Sequence, residues 1–302
     1  MALSLNTSAD VAEIASFMEG CSYEATRPKS AELEGLSKIL PPGALVFLTA
    51  IPGRPIAELE ASARGARQHG LTPVPHLSAR HFATFADIDA HLAKLCAGGG
   101  ADQIMLIGGD RANPAGEVPN ALSVIESGLF EKHKVGRVYL PGFPDGHPFV
   151  DEDQVETDLV TKLAALQQRG IESEIVSQFS FEVRPVLSWL GRLRRRGVHT
   201  PVRVGLAGPT SLLRWLGYAR RCGVKASAEA LAVRSGLVRH AFKPMTPDVI
   251  IRTLAHATAR GEIENVRAHL FSFAGIEETA LWAQAPIKGA IRLDNAGGFE
   301  KA

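Results

Sequence analysis

Polar side chains end several otherwise apolar stretches of this 302-residue chain. A polar group in such a position costs free energy unless it meets water or a ligand, so these residues are the first candidates for a site. Two of them, Glu24 and Asp110, are carboxylates that could act as general acid or base. The others are hydrogen-bonding side chains: Thr49, His76, His147 and Gln178.

The residues before Asp110 restrict the chemistry further. Ile107-Gly108-Gly109 ends an apolar run, and two glycines let backbone N–H groups approach a flat ring or a phosphate that a Cβ would block. The chain has no GxSxG element for acyl transfer and no complete GxGxxG fingerprint for a dinucleotide. No Cys/His cluster accompanies these residues, so we expect no bound metal.

Composition excludes several classes of protein. Lys and Arg number 33 against 32 Asp and Glu, a formal charge of +1, which gives no general attraction to nucleic acid or to an anionic membrane. The one basic run, 192–196, is expected to be a solvated helix face. No apolar stretch is long enough to span a membrane, and the N-terminus lacks the pattern of a signal peptide. Because the three cysteines are isolated, we predict a cytoplasmic protein without disulfides.

Eight apolar runs of strand length alternate with helical patterns. The runs are continuous rather than alternating, which is typical of parallel strands covered by helices. Eight strand–helix units in a chain of this length predict an α/β protein with a (β/α)8 TIM barrel, with a doubly wound open sheet as the alternative. The predicted strands are 21–24, 44–51, 71–78, 103–110, 136–143, 174–179, 201–207 and 269–274.

The chain carries no linker, internal repeat or low-complexity segment, so we predict one barrel domain over residues 1–302. An extra helix is expected before the first strand. The long connection 208–268, interrupted by Pro244 and Pro247, is expected to hold two or three helices. The glycine-containing tail after Pro286 is expected to be loosely ordered.

Six segments, taken in order, resemble the methylenetetrahydrofolate reductases, which are flavin-dependent (β/α)8 enzymes of one-carbon metabolism and methionine biosynthesis. The resemblance covers about residues 20–220 and returns weakly near 269–275. The segments are Ser22-Tyr-Glu24 with Pro28-Lys29, the Thr49 strand, Pro75-His-Leu77, Gly108-Gly-Asp110, Phe143-Pro-Asp-Gly-His-Pro148 and Ser177-Gln-Phe-Ser-Phe181.

The resemblance implies FAD in the barrel mouth, with a tetrahydrofolate substrate stacked on its ring. By position, Glu24 matches the general acid that protonates the folate nitrogen, and Asp110 matches the carboxylate beside the flavin pyrimidine. Gln178, Phe179 and Tyr218 match residues that hold the folate. The positions that match flavin contacts are Thr49, His76, Ile107, Gly108, Gly109, Asp110, Pro141, Phe143, His147 and Asp158.

The chain departs from the family pattern at three places. Gly108 and Gly275 stand where many members have an arginine, and Lys162 is only a weak substitute for an expected lysine. These departures leave the electron donor, NAD(P)H or another, open. The sequence also leaves open whether the protein forms a homo-oligomer. The alternatives are a folate-binding partner subunit, a flavin-independent reductase, and an unrelated barrel lyase that uses the two carboxylates as acid and base.

Overall fold

The computed structural model describes residues 7–51, 53–211, 214, 217–218 and 245–302. Eight parallel strands follow one another in chain order around a closed barrel, which confirms the predicted (β/α)8 TIM barrel and excludes an open sheet. The strands are β1 (Ser22–Ala25), β2 (Leu45–Leu48), β3 (Thr72–Ser78), β4 (Gln103–Ile107), β5 (Arg137–Gly142), β6 (Glu172–Ser177), β7 (Val202–Ala207) and β8 (Val266–Phe271).

Helices connect these strands at the positions where the sequence shows apolar residues every three or four places. Within the described residues they are α1 (Thr7–Met18), α2 (Ser30–Ile39), α3 (Ile56–Gln68), α4 (Phe85–Cys96), α5 (Ala121–Glu126), α6 (Leu129–Lys132), α7 (Glu152–Gln168), α8 (Val183–Arg195), α9 (Asp248–Ala259) and α10 (Ile276–Ile287). None of them is long and apolar enough to cross a membrane.

The last predicted strand begins and ends three residues too late. β8 runs from Val266 to Phe271 because its ladder with β7 begins at the pair Val202–Val266. Arg267, the second residue of β8, is exposed and breaks the apolar run from which the strand was predicted.

The segment after Pro286 is more regular than expected. Strands β9 (Ile291–Leu293) and β10 (Phe299–Lys301) form a small antiparallel sheet. Arg252 on α9 donates hydrogen bonds to the carbonyl oxygens of Asp294 and Gly298, at 3.3 and 3.2 Å. These bonds, which no local pattern indicates, fix the hairpin to a helix more than 40 residues earlier. Of the long connection, the structure describes α9, and the other predicted helices fall largely outside the described residues.

The internal contacts of the chain fall into two compact units. The first comprises Ser22–Gly142 and Asp151–Val176 and is here called the β1–β5 unit, although it also contains α7 and β6 as far as Val176. The second, here called the β7–β8 unit, comprises Met1–Cys21, Phe143–Val150 and Ser177–Ala302. The prediction of a single domain stays a prediction.

In the β1–β5 unit, one layer of large side chains fills the barrel interior. Phe47, Val74, Met105, Tyr139 and Val176 pack together and are almost completely buried, and the rings of Phe47 and Tyr139 meet edge to face at 4.8 Å. Since side chains along a strand alternate between two faces, the residue two places after each member points in the same direction. These five residues are here called the packed floor, because the side chains two places later along each strand lie directly above them.

In the β7–β8 unit, the expected N-terminal helix is α1, which packs against α9 and α10. Asp10 on α1 forms an ion pair with Arg252 at 3.0 Å, and Glu13 pairs with His256 at 2.5 Å. These contacts hold α1 in a defined position.

Helices α3 and α4 are joined by a buried pair of titratable groups. Nδ1 of His91 lies 3.1 Å from Oε1 of Glu60, and both residues are shielded from water, with 4% and 5% exposed. Burial lowers the pKa of His91, while the hydrogen bond to Glu60 opposes this effect. The imidazole is therefore more easily protonated in the unfolded chain than in the folded protein.

This difference predicts a pH dependence of stability. As pH falls below about 6.5, the unfolded state takes up a proton before the native state does, so the free energy of unfolding should decrease. His91→Gln should flatten the slope of unfolding free energy against pH between about pH 5 and 7, measured by urea denaturation. His199→Gln, which changes an exposed histidine, is the control and should leave the slope unchanged. Equal slopes for wild type and His91→Gln would contradict this account.

Candidate functional site

Glu24, Thr49 and His76 form one cluster at the carboxyl ends of β1, β2 and β3. The hydroxyl of Thr49 donates to Oε1 of Glu24 at 3.4 Å, and Nε2 of His76 lies 3.4 Å from Oε2 of the same carboxyl group. Only 17% of the Glu24 side chain and 8% of the His76 side chain are exposed. The structure thus brings three of the sequence-predicted residues together around one carboxyl group, here called the Glu24 cluster.

The strand register explains why these residues meet. Glu24 is paired with Phe47, a member of the packed layer, and the backbone N–H of Thr49 donates to the carbonyl of Ala25 at 3.0 Å, which extends the ladder beyond β2. Thr49 and His76 each follow a member of that layer by two residues. Because side chains alternate along a strand, those of Thr49 and His76 point to the same side as the packed floor. They lie at the carboxyl end of the barrel strands, where active sites of this fold are found.

His76 has an unsatisfied ring nitrogen. Its Nε2 atom is buried and makes no hydrogen bond within the described part of the chain. The 3.4 Å separation from Glu24 is within ion-pair range but lacks the alignment of a hydrogen bond. Because buried polar atoms are nearly always satisfied, this nitrogen is well placed to bond a ligand or to pass a proton to the neighbouring carboxyl group.

Asp110 belongs to a different pair. Its Oδ1 atom lies 2.6 Å from Nε2 of His81, and 71% of the Asp110 side chain is exposed. His81 ends a short 3₁₀ turn, Ala79–His81, which directly follows β3. The two predicted carboxylates are therefore held by different histidines, and their placement on a common ring system stays a prediction.

A backbone clamp fixes the turn after β4. The N–H of Arg80 donates to the carbonyl of Gly108 at 3.0 Å, and its guanidinium donates to the carbonyl of Gly109 at 2.8 Å. Gly109 has a left-handed backbone with φ of 90°, and a Cβ added there would lie 2.8 Å from the His81 ring. By contrast, a Cβ on Gly108 would meet no atom within 4 Å.

Sequence reasoning missed Arg80 and His81. The available signal was their position, because two basic residues follow the polar end of β3 after a single alanine, Ala79. That position places them beside the turn after β4, since β3 and β4 are paired from His76 to Ser78. Ile107 ends β4 at the level of Ser78 and is half-buried.

The predicted residues around β5 and α7 lie in separate local environments. Pro141 lies within β5, while Phe143 and His147 belong to the following loop, where their rings meet edge to face at 4.9 Å. The N–H of Phe149 donates to Nδ1 of His147 at 3.2 Å. A neutral His147 therefore carries its proton on Nε2.

Asp158 is exposed on α7 and accepts a hydrogen bond from Gln154 at 2.8 Å. It precedes Lys162 by one helical turn. Burial lowers the pKa of Lys162, and the charge of Asp158 opposes this effect. The negative charge of Asp158 thus favours the protonated form of Lys162 on the same helix.

The predicted folate residues lie in the β7–β8 unit. Oε1 of Gln178 accepts from the backbone N–H of Phe179 at 3.0 Å, which leaves its amide N–H groups as donors. Phe179 is fully buried, with its ring 5.2, 5.3 and 5.0 Å from those of Phe181, Phe271 and Phe273. Tyr218 stacks on Phe273 at 4.1 Å and is half-buried.

Among the described residues, one group has the donor atoms and spacing to hold a metal ion, namely Asp10, Glu13 and His256. Arg252 already supplies a positive charge to Asp10, at 3.0 Å. This group therefore acts as a salt-bridge network between α1 and α9.

No family model matches this sequence. Among solved structures, the chain is similar to dihydropteroate synthase (FolP) from Thermus thermophilus, with 16% identity over 87% of this chain and 90% of that one and a TM-score of 0.47. It is also similar to the apo form of a protein assigned as a deoxyribose-phosphate aldolase from Toxoplasma gondii, with 12% identity, 96% and 100% coverage and a TM-score of 0.46. Likenesses of this size carry no argument about activity.

The two adjacent glycines give a matched test of the turn after β4. Gly109→Ala forces a side chain into a left-handed backbone and against His81, so it should lower the free energy of unfolding by about 1–3 kcal/mol. Gly108→Ala should change it by less than about 0.5 kcal/mol, because its Cβ meets open space. Chemical denaturation of both variants checks this. Equal stabilities would contradict the left-handed backbone and the close approach of His81 at Gly109.

Proposed function

We propose that this protein is a flavin-dependent methylenetetrahydrofolate reductase, which interconverts 5,10-methylenetetrahydrofolate and 5-methyltetrahydrofolate with FAD as its cofactor. The observation that carries the proposal is the Glu24 cluster. Its carboxyl group is mostly shielded from water and lies at the carboxyl end of the barrel strands, beside the hydroxyl of Thr49 and the imidazole of His76, which follow the packed layer. This arrangement suits general acid catalysis on a flat, nitrogen-containing ring.

Glu24 donates the proton to the folate nitrogen. Because only 17% of the Glu24 side chain is exposed, the carboxyl group can meet a substrate nitrogen with little competition from water. Thr49 donates to one carboxyl oxygen and thereby orients the group. The other oxygen lies 3.4 Å from Nε2 of His76, so the imidazole is a second polar neighbour of the carboxyl group.

The residues around the cluster fit a flavin ring. The orphaned Nε2 of His76 offers a buried hydrogen-bonding atom, and the open space at Gly108 lets a planar group approach the backbone. Together with His76 and Gly108, the residues Thr49, Ile107 and Gly109 would line the flavin site. When bound, FAD supplies the hydride for the reaction.

Charge for the cofactor phosphates has a candidate source in Arg80. The sequence lacks an arginine at position 108, but Arg80 donates to the carbonyl of the adjacent Gly109, at 2.8 Å. Its Nε atom is buried and makes no hydrogen bond within the described part of the chain, so the guanidinium retains a free donor. Arg80 would therefore offer an anion contact close to the position where the family pattern has one.

The folate would be held by Gln178 and Tyr218. Gln178 offers its amide N–H groups to the acceptors of the pterin ring, since its carbonyl is already bonded to the backbone. Tyr218 stacks on Phe273 and can extend that aromatic surface toward a ring. Phe179 would support Tyr218, because both side chains belong to the same aromatic cluster.

The proposal is tested by Glu24→Gln, which keeps the shape of the side chain but cannot act as an acid. FAD should remain bound, whereas oxidation of the reduced flavin by methylenetetrahydrofolate, followed anaerobically, should slow by about 10²–10⁴-fold. Glu19→Gln, which changes an exposed glutamate on the N-terminal segment, is the control and should leave the rate unchanged. A rate within a few-fold of wild type for Glu24→Gln would remove Glu24 from the mechanism.

A flavin-independent reductase is the second candidate. It is favoured by Asp110, which the family resemblance places beside the flavin but which is mostly exposed and bonded to His81. The visible spectrum of the purified protein separates the two candidates. Flavin absorbance that bleaches with NADH, NADPH or 5-methyltetrahydrofolate supports the first candidate and identifies the electron donor. A colourless protein that still reduces methylenetetrahydrofolate supports the second.

A further inference from the structure

A groove of about 730 Å³ lies between the β1–α2 loop and helices α2 and α3. It is here called the basic groove. Three basic residues line it, namely Arg27, Lys29 and Arg64, together with one carboxylate, Glu58. Its wall begins at Thr26, two residues after Glu24, but none of its residues belongs to the Glu24 cluster.

The charges that line the groove are not balanced. Glu58 is shared between Arg27, at 3.2 Å, and Arg54 outside the lining, at 2.9 Å. Lys29 and Arg64 are exposed, and neither forms an ion pair with any residue that the structure describes. Three cations and one anion leave a net charge of two positive units along the lining, which attracts anions.

The α3 wall of the groove is long. It runs from Glu58 to Gln68, which corresponds to about 15 Å at a rise of 1.5 Å per residue. On this wall Ala61 is small and exposed, so it leaves room for a ligand. Ser62 and Gly65 instead pack against the opposite wall, since Ser62 donates to the carbonyl of Pro28 at 3.4 Å and a Cβ on Gly65 would lie 2.9 Å from Leu33. A single small anion would fill only a fraction of this length, whereas a short chain could contact basic residues at several points.

The start of α2 adds further donors. Lys29 is the N-cap residue of this ten-residue helix, and its side chain makes no capping hydrogen bond. The backbone N–H of Lys29 is satisfied by Glu32, at 2.8 Å, but the first N–H groups of the helix proper have no intrahelical acceptor. The carboxylate of Glu32 lies in the same turn and offsets part of the positive end of the helix dipole, so the attraction for anions comes mainly from the basic side chains.

We propose that the basic groove is a binding site for a short polyanionic chain, that is, a small molecule or a tail that carries several carboxylates or phosphates. The net charge selects the sign of the ligand, and the length of the α3 wall favours an extended shape. This proposal goes beyond the reductase activity and does not rest on it, because it involves neither FAD nor Glu24.

The test is isothermal titration calorimetry of the full chain at low ionic strength, with two probes of the same length class, tri-γ-glutamate and inorganic tripolyphosphate. At least one probe should bind, with an affinity that falls as salt is added. Tighter binding of triglutamate identifies a carboxylate chain as the ligand class, and tighter binding of tripolyphosphate identifies a phosphorylated one.

Two variants locate the binding. Lys29→Ala combined with Arg64→Ala should weaken binding about tenfold or more, since charge-assisted contacts are lost. Ala61→Glu keeps every cation but places a negative charge in the groove, so it should weaken binding to a similar extent. The control, Arg195→Ala combined with Lys288→Ala, removes the same charge from exposed positions outside the groove and should bind like wild type.

Circular dichroism melting of each variant establishes that it is folded. The proposal is overturned if neither probe binds to the wild type, or if both groove variants bind as tightly as the control. Because the titration measures binding without turnover, its outcome is independent of whether the reductase activity is found.

Discussion

Alternation of side chains along the strands of the β1–β5 unit is the constraint on which the candidate site depends. Phe47, Val74 and Met105 fill one level of the barrel interior and are buried. A strand cannot turn one residue inward without turning the residue two places later inward as well. Thr49 and His76 are therefore directed to the same side as this layer, and the packed floor beneath them excludes water from below.

The two carboxylates, Glu24 and Asp110, lie in different environments. Glu24 is mostly shielded and has neighbours on both oxygens, Thr49 and His76. Asp110 lies beyond the end of its strand, is mostly exposed and is paired with His81. Environments of this kind allow two chemically identical groups to take different roles, one as a proton donor and the other as a fixed charge.

Two histidines and an arginine, all on or just after β3, connect these environments. His76 belongs to the strand and faces Glu24, whereas His81 ends the next turn and faces Asp110. Between them, Arg80 holds the turn after β4 through two backbone carbonyls. Movement of this short segment would therefore alter both carboxylate environments together.

The order of the strands and helices, and the residues at the strand ends, could be predicted from local patterns in the sequence. Continuous apolar runs and helical periodicity are local signals, so eight strands and the positions of Glu24, Thr49 and His76 could be predicted from them. Strand β8 was misplaced because exposed Arg267 interrupts its apolar run, and only its pairing with β7 defines where it begins. The hairpin after Pro286 likewise depends on Arg252, a residue far away in the chain.

Which charged groups meet depends on the folded arrangement of the strands and turns. The pairing of Asp110 with His81, the clamp made by Arg80 and the complete burial of Phe179 depend on contacts between different strands and turns. The basic groove likewise brings together the β1–α2 loop and a helix that begins almost 30 residues later. Local patterns carry no information on such contacts, because distance in space is set by the register of neighbouring strands rather than by separation along the chain.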